Sequence, residues 1–313
     1  MATAVDIAKV IYQAPDLDVM QQAMTDFGLP LAARTDTALY VRGSGAQHHI
    51  HETRLGDRPR FIGAAVEVSS RADLDELAQM EGSAVEANPD PGGGWRVRMF
   101  TPDGFEITAI WGREKAPALP ATEARLFNSG RSKARVNASI RVKREPGTVI
   151  RLGHFVLHVS SHDDTVKWFE DRFGMLHSDY FAPPGQMAPI VGTFLRCNLG
   201  ATLVDHHCLL VLQSDKVGVH HCSFEVEDVD AVMASHDYLL SKGWQLDCGV
   251  GRHMLGSQIF DYWKDPFGFR VEHYTDGDVV DASFQPSIFN GTASETTQWG
   301  DEPPLEFFTS CNE

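Results

Sequence analysis

One rhythm is written twice in this chain: VDIAKVIYQAPDLDVMQQAMTDFGLPLAA in the first half returns as IRLGHFVLHVSSHDDTVKWFEDRFGMLHS in the second. Each stretch runs from an alternating strand through an acidic turn into an amphipathic helix that stops at Phe-Gly. A second pair, RPRFIGAAVEVSSRADLDELAQMEG and VGVHHCSFEVEDVDAVMASHDYLLSKG, has the same order, and each half closes on a Pro-x-Gly-Phe turn, PDGFEITAIWG and PFGFRVEHYTD. This repetition predicts an α+β protein of four βαβββ modules, near residues 1–55, 56–113, 150–205 and 215–276. Two domains follow, an N-terminal structural one over 1–113 and a C-terminal catalytic one over 150–276. Residues 114–149, rich in Pro, Ala, Arg and Lys, read as the linker, and 277–313 as a tail wrapping the second half.

Composition narrows the function classes. With 27 Lys and Arg against 43 Asp and Glu, the net charge of −16 argues against nucleic acid or an anionic membrane as partner. The opening residues lack a charged leader before an apolar block, and no stretch approaches the ~20 apolar residues of a membrane span. A cytoplasmic protein is expected. Five cysteines without a CxxC pair suit reduced thiols, Cys222 being read as a small buried one.

The histidines are distributed unevenly. Of 14, eleven lie between His154 and His273, and the rest form the cluster His48, His49 and His51. That cluster reads as a solvated strand or hairpin, because no carboxylate beyond Glu52 accompanies it. In LGHFVLHVS, alternation puts His154, Val156 and His158 on one face. In VHHCSFEVE, His220 and His221 are expected on opposite faces, with His221 beside Ser223 and Glu225. In FGFRVEHYT, Arg270, Glu272 and Tyr274 share a face. Two imidazoles and one carboxylate from three strands suit a facial metal triad, His154, His221 and Glu272, with positions left open. Aligning the repeats puts Ala8, Gly63 and Thr108 opposite these residues, so only the second half carries the ligand set.

The block GRHMLGSQIFDYWKDPFGFRVE, with Gly251-x-His253, Tyr262, Asp265-Pro266-x-Gly268 and Glu272, resembles the signature of type I extradiol ring-cleavage dioxygenases of the vicinal oxygen chelate superfamily. It departs at Asp261, where the family prefers an aliphatic residue. The resemblance spans residues 5–276, the first half as scaffold only. It implies the vicinal oxygen chelate fold, Fe(II) rather than Mn(II) on His154, His221 and Glu272, an aromatic diol and O2 as substrates, and a homo-oligomer. His253, Tyr262 and a histidine of DHHCLLVL would serve the chemistry: His207 on the alignment of the following strand, His206 on the alternative spacing. A glyoxalase-like isomerase and a metal-free binding protein of the same fold are the rival readings.

Overall fold

The computed structural model describes residues 1–120 and 124–312, so residues 121–123 of the expected linker and Glu313 of the tail lie outside the described residues. Four βαβββ modules are present. The first runs through β1 (Ala4–Ala14), α1 (Leu17–Asp26), β2 (Leu31–Arg34), β3 (Ala38–Val41) and β4 (His51–Leu55). The second comprises β5 (Arg60–Val68), α2 (Arg71–Glu81), β6 (Glu86–Ala87), β7 (Trp95–Phe100) and β8 (Glu106–Trp111). In the third, β9 (Val149–Val159) and α3 (His162–Phe173) precede β10 (Leu176–Phe181), β11 (Gly192–Arg196), a short β12 (Val204–Asp205) and β13 (Leu209–Gln213). The fourth is β14 (Gly218–Val226), α4 (Val229–Lys242), β15 (Gln245–His253), β16 (Ile259–Lys264) and β17 (Arg270–Thr275). The third module therefore ends on a strand reaching Gln213 rather than near residue 205.

The acidic turns noted in the sequence are helix caps. Asp16 and Asp228 accept backbone N–H groups of α1 and α4 through their carboxylates, Ser70 and Ser161 do so through their hydroxyls, and Gly82, Gly174 and Gly243 end three helices in the left-handed conformation.

Each half forms one sheet, ordered β2-β3-β4-β1-β5-β8-β7-β6 and, for the second, β10-β11-β13-β9-β14-β17-β16-β15 between two tail strands. In every module the first strand pairs in parallel with the last, and modules join through antiparallel β1–β5 and β9–β14. The sheets bury aromatic residues against one another: Tyr12 meets Phe269, Phe61 meets Phe155, and Phe27 stacks on His273 at 3.7 Å between ring centroids. Because side chains alternate along a strand, committing Phe155, Phe224, Val271 and His273 to this core turns His154 and Glu272 to the other face of the second sheet.

The tail carries more structure than its sequence suggests. Strands β18 (Val279–Val280), β19 (Ser287–Phe289) and β20 (Thr297–Gly300) pair with β12, β10 and β15, and α5 (Leu305–Thr309) follows. No helix among the described residues is long and apolar enough to cross a membrane.

Candidate metal centre

Three neighbouring strands converge their polar face on one point. Ser223 in β14 is paired with His154 of β9 on one side and with Glu272 of β17 on the other, and His221 stands two residues before it. The resulting triangle is nearly equilateral. His154 Nε2 lies 3.2 Å from His221 Nε2 and 3.3 Å from Glu272 Oε2, and His221 Nε2 is 3.4 Å from the same oxygen. Gly153 precedes His154 because a Cβ there would lie 2.1 Å from the Tyr274 hydroxyl, and the Tyr274 ring lies 5.6 Å from that of His154.

The donor set fits a cation. Glu272 has no exposure to solvent, yet neither of its oxygens has a well-formed hydrogen bond. A buried carboxylate left so is costly unless a positive charge meets it. Burial alone would raise its pKa, but the imidazoles of His154, His221 and His253 hold it well below the usual carboxylate range. Burial also lowers His221 to about 4, so its ring is neutral and can ligate.

Hydrogen-bond partners fix which nitrogen of His221 is free. His220 Nε2 lies 2.6 Å from the Phe307 carbonyl oxygen, to which only an N–H can donate. Its Nδ1 is then an acceptor, and His221 Nδ1–H donates to it at 2.6 Å. The lone pair of His221 Nε2 is thereby left facing the triangle. This arrangement corrects the expectation that His220 and His221 point to opposite faces. A register shift between Val219 and His221 makes His220 the extra residue of a β-bulge, and both rings line the same cavity.

A second histidine pair repeats the device. His206 Nε2–H donates to Asp179 Oδ2 at 2.9 Å, and the two Nδ1 atoms of His206 and His207 are 3.1 Å apart. When His206 is neutral its Nδ1 accepts, which makes His207 Nδ1–H the donor and leaves the lone pair on His207 Nε2. The His207 ring sits 4.3 Å from that of His154 and edge-on to Phe194, while His206 turns away to Asp179. Burial, reinforced by His154 and His206, pushes His207 well below its ordinary pKa. On the opposite side, His253 Nε2 lies 2.7 Å from the Tyr262 hydroxyl and 3.6 Å from Glu272 Oε1. Burial and then Glu272 drive the Tyr262 pKa up, so the phenol keeps its proton. Asp261, the departure in the block, is fully buried and bonded to His236 at 3.0 Å and to the Trp263 indole at 2.7 Å.

All of this opens on a cavity of about 390 Å³ lined by His154, His207, His221, His253 and Tyr262, and walled by strands of the third module and by the tail. A larger cleft of about 580 Å³ between the halves, lined by Arg58, Arg60, Asp103 and Lys216 among others, includes none of these residues. Three further residues support the centre in ways that local pattern does not signal. His220 was hidden by the bulge, Phe307 lies in a tail without period, and Asp179 lies far from its partner in sequence.

The first-half histidine cluster is not solvated as expected: His49 and His51 are buried. Nor does Glu52 stand alone there, since Asp90 joins His49 and Glu52 within 4.8 Å. The ammonium of Lys9, however, bonds both carboxylates.

The sequence profile of the Glyoxalase/Bleomycin resistance protein/Dioxygenase superfamily matches residues 151–273. Metapyrocatechase 2 of Cupriavidus necator is 27% identical over 306 residues, covering 96% of this chain and 90% of that protein. The Mn(II)-bound glyoxalase from Novosphingobium aromaticivorans superposes with a TM-score of 0.83 at 25% identity, covering 100% of this chain and 97% of that one. Homoprotocatechuate 2,3-dioxygenase from Arthrobacter globiformis shares the fold, with a TM-score of 0.80 at 19% identity over 99% of this chain and 92% of the other.

Proposed function

The chain belongs to the glyoxalase/bleomycin resistance protein/dioxygenase superfamily, and we propose that within it the protein is an Fe(II)-dependent extradiol dioxygenase, which opens a catechol-type ring beside its vicinal diol using O2. The observation that carries this reading is the His154–His221–Glu272 triangle, two imidazoles and one carboxylate beside a cavity walled largely by apolar side chains. One carboxylate and two imidazoles leave room for a diol and O2 together. An isomerase site with two carboxylates is less well supported, since among the described residues this group holds a single one and Glu225 is bonded to Arg151.

His154, His221 and Glu272 would hold Fe(II), which would supply open coordination positions and redox capacity for a diol and O2. The residues around it handle protons and orientation. His207 Nε2, with its lone pair towards the cavity, accepts a proton from the diol and returns it later in the reaction. The Asp179–His206 pair keeps His207 in that tautomer. His253 and Tyr262 hydrogen-bond the oxygen atoms of the bound diol, and the neutral phenol of Tyr262 donates as negative charge develops. The N-terminal half, residues 1–113, is assigned to scaffold.

The test is O2 uptake by anaerobically iron-loaded protein on a panel of catechols, with manganese loading in parallel. A yellow ring-opened product and one O2 consumed per diol are expected with iron. Isomerisation of a thiol adduct of an α-ketoaldehyde, without O2 consumption on any diol, would replace this reading with the isomerase.

A further inference from the structure

The walls of the cavity say which diol it takes. Phe181, Phe194, Leu210 and Leu212 from β10, β11 and β13 face Leu255 and the tail residue Phe289, and no lysine, arginine, aspartate or glutamate is among the lining residues. Arginines on the flanking strands are engaged elsewhere. Arg151 on β9 is held by Asp205 and Glu225, Arg196 on β11 by the carbonyls of Asp281 and Phe284, and Arg270 on β17 by Asp247. None is left to meet a negative group on a substrate.

Gln213, Gln258, Thr292 and Thr296 line the cavity with neutral amides and hydroxyls, and one imidazole there has no hydrogen-bond partner on either nitrogen. His158 is buried, with both ring nitrogens unpartnered, and it lines the cavity beside His220. Burial and the positive charge of Arg270 lower it to about 4, so near neutrality it offers a neutral hydrogen bond rather than a countercharge. The chain's net charge of −16 further disfavours an anionic substrate.

Resting on the ring-cleavage reading above, we infer that the diol carries an uncharged, predominantly apolar substituent, alkyl or aryl, and that diols bearing a carboxylate are rejected. An apolar substituent gains roughly fourfold in affinity per methylene buried until the walls are filled. A carboxylate loses its water with no countercharge in return, which weakens binding by roughly a hundredfold or more relative to the unsubstituted ring.

The experiment measures binding before turnover. The full-length, iron-loaded protein is titrated without O2 with catechol, its 3- and 4-methyl, propyl and phenyl derivatives, and 2,3- and 3,4-dihydroxybenzoate, and each complex is then mixed with O2. Alkyl and aryl diols binding more tightly than catechol, with the benzoates far weaker, is the expected order. A benzoate that binds or is cleaved as well as the best alkyl diol overturns the inference even when ring cleavage is seen. The expected binding order without cleavage of any diol leaves the inference standing and removes the dioxygenase reading instead. In addition, Leu212→Arg should raise benzoate affinity at least tenfold and lower that of propylcatechol, whereas Leu212→Met keeps the original order. A folded arginine variant with unchanged preferences would show that the cavity wall does not select the substituent.

Discussion

The ammonium of Lys9 lies 2.5 Å from Glu52 Oε2 in the first half, with both side chains almost completely buried. Asp90 accepts from the same ammonium, and His49 stands beside the two carboxylates. A side-chain cation thus occupies the midst of a carboxylate pair that would otherwise attract a metal. Lys9→Met leaves those carboxylates uncompensated and should cost about 3–5 kcal/mol of unfolding free energy. Urea denaturation measures it; an unchanged midpoint would mean that Lys9 is not what balances this charge.

Among the described residues of the second half, no lysine or arginine pairs with Glu272. His154→Ala, His221→Ala and Glu272→Ala should each abolish stoichiometric iron binding while leaving the circular dichroism spectrum unchanged. The iron-free Glu272→Gln protein should be no less stable than the iron-free parent, because a buried charge has been removed. Metal analysis with thermal unfolding of both forms checks the set. Full iron occupancy in any alanine variant would move the ligand assignment elsewhere.

Much of this was legible in the chain because two periods carry it. The repeat announced four modules, and strand alternation put His154 and Glu272 on one face, opposite the core residues Phe155 and His273. What alternation could not announce is its own interruption. The bulge at His220 swings that ring beside His221, and nothing in VHHCS marks an extra residue. Long-range partners were equally hidden. Asp179 meets His206 across 27 residues, and Phe307 meets His220 across 87, contacts set by tertiary packing rather than by local pattern.

Burial of His51 predicts a pH effect remote from the metal centre. Its ring stacks on Tyr12 at 4.9 Å, and burial lowers its pKa from 6.5 to about 3. The folded state therefore holds the ring neutral where the unfolded chain takes up a proton. The stability it contributes is complete above pH ~6.5 and is lost as pH falls towards 3. His51→Phe keeps the stack without titrating. The variant should gain on the parent by about 1.4 kcal/mol per pH unit between roughly 6 and 4. Parallel denaturation curves at three pH values decide it; a constant difference would mean that His51 titrates alike in both states.

His207 and Asp179 separate proton handling from metal binding. His207→Asn should retain iron and bind catechol anaerobically, yet lose roughly 10²–10⁴-fold in kcat. Asp179→Asn leaves the imidazole in place, but because the Ser287 N–H and hydroxyl hold the amide oxygen at the Oδ1 position, its NH2 group meets His206 Nε2 and no longer accepts from it, so a smaller loss, roughly tenfold or more, is expected in kcat rather than in KM. Single-turnover mixing with O2 resolves the two. Normal turnover by His207→Asn alongside failure of a His206→Asn variant would transfer the role to His206.

The last prediction concerns the tail, which walls the cavity and meets His220 through the Phe307 carbonyl. Phe307 covers the cavity with its ring, packs edge-on to Tyr262 at 4.9 Å, and lies under the Arg270 guanidinium at 4.1 Å. Its carbonyl receives the His220 N–H that in turn sets which nitrogen His221 presents. Two substitutions separate ring from relay. Phe307→Ala keeps a backbone carbonyl but removes the wall, so diol affinity should fall while iron affinity changes little. His220→Leu keeps a wall but removes the acceptor for His221 Nδ1–H, so iron affinity should fall by about 10–100-fold, the usual scale for a residue orienting a metal ligand. His220→Gln, whose amide oxygen can accept in place of Nδ1, should recover part of that loss. Competitive chelator titration reads the iron affinity and anaerobic catechol titration reads the diol. Equal iron affinity in the leucine and glutamine variants would show that His220 fills space without orienting His221.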